Sequence, residues 1–176
     1  MSPHPDPAQL LVEFLPLLPK GKALDVAMGK GRNALFLASH GLEVAGLEKD
    51  EESIDLCRAE AKNRGLHLEI RRTDLEDLAS YQIEKVTYDV VICFYYLQRN
   101  LIPLMKEALK PGGIMIYETF LIDQHLTAGH PRRREFCFGH NELLKYFMDY
   151  RVLFYREGQD TNGTYRASLV AQKDSL

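Results

Sequence analysis

Two closely spaced glycines, Gly29 and Gly31, join a short apolar run to a helical pattern. The stretch reads Ala23-Leu24-Asp25-Val26-Ala27-Met28-Gly29-Lys30-Gly31-Arg32-Asn33-Ala34-Leu35-Phe36-Leu37-Ala38. Glycines in such a turn let the backbone approach a ligand where a Cβ would collide. The helix N-terminus behind them offers unpaired N–H groups and positive dipole charge to an anionic group. About seventeen residues further on, Glu48 closes a second apolar run, Val44-Ala45-Gly46-Leu47, and a carboxylate there suits a ribose diol. Together they predict a site for an adenosine-containing ligand. Gly29-x-Gly31-x-x-Ala34 also fits a dinucleotide turn, or a tight turn that holds nothing.

Three further groups could take part. In Thr73-Asp74-Leu75, Asp74 can accept a hydrogen bond from an adenine amine while Leu75 packs on the ring, or Asp74 can cap a helix. Cys93-Phe94-Tyr95-Tyr96 ends a fourth apolar run, where backbone carbonyls and aromatic faces would border a reacting centre. Aromatic faces suit a cation such as a sulfonium, and they equally suit a core. Gly129-His130-Pro131-Arg132-Arg133-Arg134 is the densest basic cluster, readable as a lid that holds an anionic acceptor or as a solvated loop. Tyr95 and His130 are candidate general bases, and Arg132 is a candidate acceptor ligand. His40, His67, His125 and His140 lie in no partner pattern. The chain shows no His-x-x-x-His, Cys-x-x-Cys or nucleophile-elbow arrangement, so no metal is expected.

Strands and helices in alternation must position these residues. A helix is expected over Pro7–Leu18, then a strand over Lys22–Ala27, a helix over Arg32–His40 and a strand over Glu43–Glu48. Asp50-Glu51-Glu52-Ser53 opens a helix that runs to Arg64. Strands follow over Leu66–Arg71, Tyr88–Tyr95 and Ile114–Leu121, with a helix through Leu101, Leu104, Met105 and Ala108 before Pro111-Gly112-Gly113. This order predicts parallel pairing with right-handed crossovers. Ile122–Phe138 carries no clear period and is expected to form a mobile lid. A short helix over Asn141–Met148 and an antiparallel pair, Tyr150–Tyr155 with Thr164–Lys173, complete the chain.

At 176 residues, with 45% hydrophobic and 27% charged residues, one globular domain over 1–176 is expected, opened by a helical segment over 1–19. A net charge of −3 gives no global basic field for nucleic acid. No apolar run is long enough to span a membrane, and Met1–Asp6 lacks the features of a signal peptide. Cys57, Cys93 and Cys137 are isolated, which points to a reducing, cytoplasmic setting. Oligomeric state is not legible.

Asp25-x-x-x-Gly29-x-Gly31, Glu48, Tyr88-Asp89-Val90-Val91-Ile92 and Leu109-Lys110-Pro111-Gly112-Gly113-Ile114 resemble the motifs of class I S-adenosylmethionine-dependent methyltransferases. The resemblance covers about Lys20 to Leu121, and the late strand pair resembles the antiparallel edge of that family's sheet. Within the superfamily, Gly31 to Ala38 is similar to the tellurite-resistance and thiopurine-type small-molecule methyltransferases. The resemblance implies a three-layer Rossmann-like α/β sandwich with a mostly parallel seven-stranded sheet. It implies S-adenosylmethionine as cofactor and a small-molecule methyl acceptor, such as a thiol or chalcogenide. Cofactor-binding roles then fall to Asp25, Ala27, Gly29, Gly31, Asn33, Glu48, Lys49, Asp74, Leu75, Cys93 and Phe94. The family usually has glycine at Ala27, a small residue or Cys at Met28, and Thr or Ser at Lys30. The competing readings are a nicotinamide-dependent oxidoreductase, for which no Tyr-x-x-x-Lys pair is present, and a binding module without turnover.

Overall fold

Side chains alternate across a strand, and here both faces of the strands are apolar. The sheet must therefore be covered twice. In a computed structural model describing residues 5–77, 79 and 81–175, seven strands run in the order β3-β2-β1-β4-β5-β7-β6. They are β1 (Lys22–Val26), β2 (Glu43–Glu48), β3 (Leu68–Arg72), β4 (Tyr88–Phe94), β5 (Leu109–Phe120), β6 (Arg151–Gln159) and β7 (Tyr165–Gln172). The first five pair in parallel, and β7 pairs antiparallel to both β5 and β6. The expected architecture is borne out. Met1–His4 of the expected N-terminal segment lie outside the described residues, as does most of the segment examined for a leader.

One face is covered by α1 (Gln9–Phe14), α2 (Arg32–Ser39) and α3 (Glu51–Asn63), which pack on Ala23, Val44, Val90, Ile92 and Ile116. The other is covered by α4 (Leu101–Ala108) and α6 (Glu142–Tyr146), which pack on Leu24, Val91, Met115 and Tyr117. The first helix is shorter than expected and passes into a 3₁₀ turn at Leu15–Leu17, with Pro16 inside the turn. The fifth strand starts early, at Leu109. It absorbs Pro111-Gly112-Gly113 as an irregularity between the Tyr88 and Val90 pairings.

The segment without a period is partly helical. α5 (Ile122–Ala128) leaves the end of β5, and a 3₁₀ turn follows at Arg134–Phe136. The Ile122 N–H donates to the Phe138 carbonyl at 2.8 Å, and the Phe138 N–H donates to Phe120 at 2.9 Å. Arg99 donates to the carbonyls of Glu135 and Cys137 while pairing with Glu142 at 2.6 Å. Both ends of the segment are thus tied to the body of the domain.

Candidate functional site

The carboxyl ends of β1, β2 and β4 border two cavities that meet at Ala27. One, of about 260 Å³, is lined by Asp25, Gly29, Lys30, Arg32, Phe94 and Tyr95, among others. The second, of about 90 Å³, is lined by Glu48, Lys49, Thr73, Asp74, Leu75 and Tyr96. A larger cavity, of about 520 Å³, opens near the amino ends of β1, β2 and β4 at Lys22, Glu43 and Thr87, and none of the candidate catalytic or cofactor-binding residues lines it. Ligands of open α/β sheets lie at the carboxyl ends, so the two smaller cavities are the candidate site.

Two backbone reversals shape that edge. Ala27 has φ +58° and Tyr95 has φ +55°, both left-handed. Such a conformation is costly for a residue with a Cβ. It explains why glycine is the expected residue at Ala27. At Tyr95 the reversal sends neighbouring aromatics apart. Phe94 and Tyr95 line the larger of the two cavities and Tyr96 lines the smaller. Sequence reasoning placed Tyr96 in the aromatic run but gave it no role of its own. The signal available was its place in an aromatic triplet, but strict alternation would have set it beside Phe94.

Asp25 is 2% exposed at the end of β1, and its Oδ2 has no hydrogen-bond partner among the described residues. Burial pushes its carboxyl up to about 8, against the Ala34 backbone N–H and the Arg32 charge, which favour the anion. Two acceptor sites buried beside a cavity, with one oxygen orphaned, suit a cationic donor.

Glu48 is held differently. Its Oε2 accepts from the Gly29 N–H at 2.8 Å, and its Oε1 accepts from Lys49 at 2.8 Å and Asp50 at 2.9 Å. Three backbone donors fix the carboxylate and leave it acceptor capacity for a diol. The same bond ties the glycine turn of β1 to the end of β2. In the smaller cavity, Asp74 Oδ1 accepts from the Glu76 N–H at 3.0 Å, so it already closes a turn. No helix follows it among the described residues. Lys49 pairs with Glu76 at 3.0 Å and with Asp74 at 3.7 Å.

The two glycines do different work. At Gly29 (φ +55°) an added Cβ would meet nothing within 4 Å. At Gly31 (φ +80°) it would fall 2.2 Å from the Cys57 sulfur on α3. The expectation that Gly31 clears space for the ligand is therefore corrected. Gly31 clears space for a helix, and Gly29 alone of the two lines the cavity. Met28 is accommodated by a third glycine. A Cβ at Gly46 would lie 2.3 Å from the Met28 sulfur, so the long side chain tucks over β2 and is 6% exposed.

Other expected roles are redistributed. Asn33 borders the cavity, but its Oδ1 accepts from the Ala8 N–H at 2.8 Å, pinning the N-terminal segment. Cys93 is fully buried in the opposite core and its thiol points to the Tyr96 carbonyl. Burial also drives its thiol pKa far up, and Cys93 lines neither cavity. The Tyr95 ring has guanidinium groups 5.7 Å (Arg32) and 5.2 Å (Arg166) from its centroid and leans on Phe120 at 5.3 Å. Arginines thus compete for its faces, contrary to a role as open cradle for a sulfonium. Burial, then Glu118, pushes its hydroxyl up to about 12, so at neutral pH it keeps its proton. His130 reaches the same cluster through Phe120, edge-on at 5.4 Å. Arg132 is exposed and makes no ion pair or hydrogen bond among the described residues.

The family model described as "Tellurite resistance protein TehB" matches residues 9–165. The chain belongs to the TehB family. A Haemophilus influenzae relative of that family, named a probable S-adenosyl-L-methionine-dependent methyltransferase, is 27% identical over 84% of this chain and 52% of its own length. A ubiquinone biosynthesis O-methyltransferase from Actinobacillus pleuropneumoniae is 30% identical over 56% of this chain and 45% of its own. The chain thus spans about half the length of the curated relatives it matches. The crystal structure of TehB from H. influenzae superposes with a TM-score of 0.78 at 26% identity, covering 93% of this chain and 61% of that one. The [4+2]-cyclase SpnF, at TM-score 0.74 and 17% identity, shares the fold.

Proposed function

We propose that this chain binds S-adenosylmethionine across the two cavities and transfers its methyl group to a small acceptor. The observation that carries the reading is the pair of acidic groups at the ends of one composite pocket. Asp25, buried with an orphan oxygen, would hold the ammonium of the methionine end. Glu48, oriented by three backbone N–H groups, would hold the ribose. Asp74, Leu75 and Tyr96 would then enclose the adenine. The relatives' names support the same cofactor.

When bound, the cofactor supplies a methyl carbon already activated by a sulfonium. The protein's work is then alignment and exclusion of water. Tyr95 and Phe94 form the wall on the reacting side, and the segment over 122–138, with His130 and Arg132, would cover the acceptor. An acceptor such as a thiolate or chalcogenide anion would need no base, and for any other acceptor His130 is the remaining candidate. The family's description as a tellurite resistance protein is in keeping with such a soft nucleophile. No helix among the described residues is long and apolar enough to cross a membrane. We place the protein in the cytoplasm, in keeping with buried free thiols at Cys57, Cys93 and Cys137.

Calorimetry tests the cofactor. S-adenosylhomocysteine should bind one to one and NAD should not. Glu48→Ala should weaken that binding about 10- to 150-fold, the cost of losing hydrogen bonds to a charged acceptor. Tight NAD binding without a response to S-adenosylhomocysteine would overturn the reading.

A further inference from the structure

Two buried side-chain atoms lack a hydrogen-bond partner among the described residues, Asp25 Oδ2 and Arg166 Nε. The first belongs to the cofactor cavity. The second belongs to an ion-pair cluster beside Tyr95. Arg166 is the second residue of β7. Its Nη1 lies 3.2 Å from Glu118 and its Nη2 lies 2.5 Å from Asp160. Glu118, 7% exposed near the end of β5, accepts from the Ser168 hydroxyl at 2.7 Å. Its backbone carbonyl accepts from the Tyr95 N–H at 2.9 Å. Asp160 stands in the turn between β6 and β7. Its Oδ1 accepts from the Asn162 and Thr164 N–H groups at 2.8 and 2.9 Å, and its Oδ2 meets Arg166. A cavity of about 200 Å³ opens beside this cluster, lined by Gln9, Glu13, Glu118, Arg156, Asn162 and Arg166, among others.

We infer that Arg166 is a positioning residue, clamped by Glu118 and Asp160, that fixes the Tyr95 ring as the wall of the reacting side and couples that wall to the turn over 160–163. The inference rests on the reading of that wall given above and adds the device that holds it. Tyr95 is a left-handed residue with a Cβ, at φ +55°, and such a conformation persists only where the surroundings determine it. Glu118 supplies both determinants. Its carbonyl holds the Tyr95 backbone, and its carboxylate holds the guanidinium that covers the ring. A guanidinium suits the task because it pairs with carboxylates in its plane while laying its face on an aromatic ring. The bare Nε is the cost of this placement, since a guanidinium free to satisfy its own donors would not leave a buried N–H unpaired. Arg32, the other cation near the ring, is anchored to the Asp6 carbonyl. The Tyr95 hydroxyl registers the cluster. After burial, which is the largest influence, Glu118 and Asp160 push its pKa up while Arg166 and Arg32 pull it down. A wall fixed before the ligand arrives needs no ordering during the reaction. The turn gains a line to the site, because Asp160 cannot move without releasing one arm of Arg166.

The test reads the Tyr95 ring directly, by fluorine NMR of the protein grown with 3-fluorotyrosine. The chain has nine tyrosines, and Tyr95→Phe identifies the signal that belongs to Tyr95. Arg166→Gln should move that signal toward its position in the unfolded protein and leave the others in place, save that of the neighbouring Tyr165. Arg166→Lys keeps the charge and loses the plane, so it should not restore the signal. Asp160→Asn keeps the acceptor that closes the turn and removes the arm to Arg166. It should move the same signal in the same direction by a smaller amount. A Tyr95 signal that stays put in Arg166→Gln would overturn the inference, as would full restoration by lysine, which would reduce Arg166 to a point charge. Movement of all the tyrosine signals together, with a lower melting temperature, would overturn it equally and make Arg166 a support of the sheet at large. An unmoved signal in Asp160→Asn overturns the coupling to the turn, and that variant decides alone should Arg166→Gln fail to fold. S-adenosylhomocysteine is titrated separately into the wild-type protein, and its failure to bind removes the cofactor reading without touching the ring measurement.

Discussion

Asp25→Asn is expected to lower the affinity for S-adenosylhomocysteine about a hundredfold or more while making the free protein more stable at pH 8. The two effects have one cause. The carboxyl is buried, one oxygen has no partner among the described residues, and burial pushes its pKa up to about 8 from an ordinary 3.8. Ionising it in the free protein therefore costs stability. The stability associated with the protonated group is fully present below about pH 4 and is lost as pH rises through 8. Asparagine removes that loss. In the complex the sign reverses, because a ligand ammonium favours the anion. Removing one partner of a buried charge pair costs about 3–5 kcal/mol, which is more than a hundredfold in affinity. Binding to the wild-type protein should expel a proton below pH 8, so affinity should climb between pH 5 and 8, and it should fall again at higher pH as the ligand's own ammonium deprotonates. Calorimetry in two buffers of different ionisation heat measures the proton directly. A variant that binds normally, or a wild-type affinity flat across that range, would remove Asp25 from the site.

The second large effect separates the two glycines. Gly29→Val should leave a folded protein with no measurable cofactor binding, because the new side chain points into open space at the cavity. The left-handed φ of +55° adds about 1–2 kcal/mol of strain, visible as a lower denaturant midpoint. Gly31→Val should do the opposite kind of damage. It drives a side chain into Cys57, where α2 and α3 meet, and adds overpacking of about 1–3 kcal/mol to similar strain. Its loss of binding should follow its loss of fold. Denaturation curves read by circular dichroism, set beside calorimetry on the same samples, distinguish the two. If Gly31→Val is as stable as Gly29→Val and merely fails to bind, the assignment is inverted.

These contrasts mark where sequence reasoning reaches its limit. The sheet was legible because long apolar runs and turn glycines recur at regular intervals. Glu48 was legible because the end of a parallel strand is a fixed place. Which glycine lines the cavity was not, since Gly29-x-Gly31 specifies a turn and says nothing of what stands behind it. The role of Tyr96 escaped because a single left-handed residue, Tyr95, cancels the alternation on which strand patterns depend. The seven residues of α5 left no period because they make barely two turns, shorter than the window over which a helical repeat can be recognised. Asn33 looked like a ligand contact from its place in the motif. Its partner, the backbone of Ala8, lies 25 residues away, and a sequence gives no hint of that pairing.

The nesting of Met28 over Gly46 has a historical consequence. The two positions share one volume, so neither can drift alone. In a chain that carries methionine at 28, a methyl group gained at 46 must displace the sulfur, and Met28 also lines the cavity. Position 46 can grow only if the flexible Met28 side chain swings aside or shortens. Substitutions at the two positions are therefore coupled, and a smaller residue at 28 frees the volume that a larger one at 46 needs.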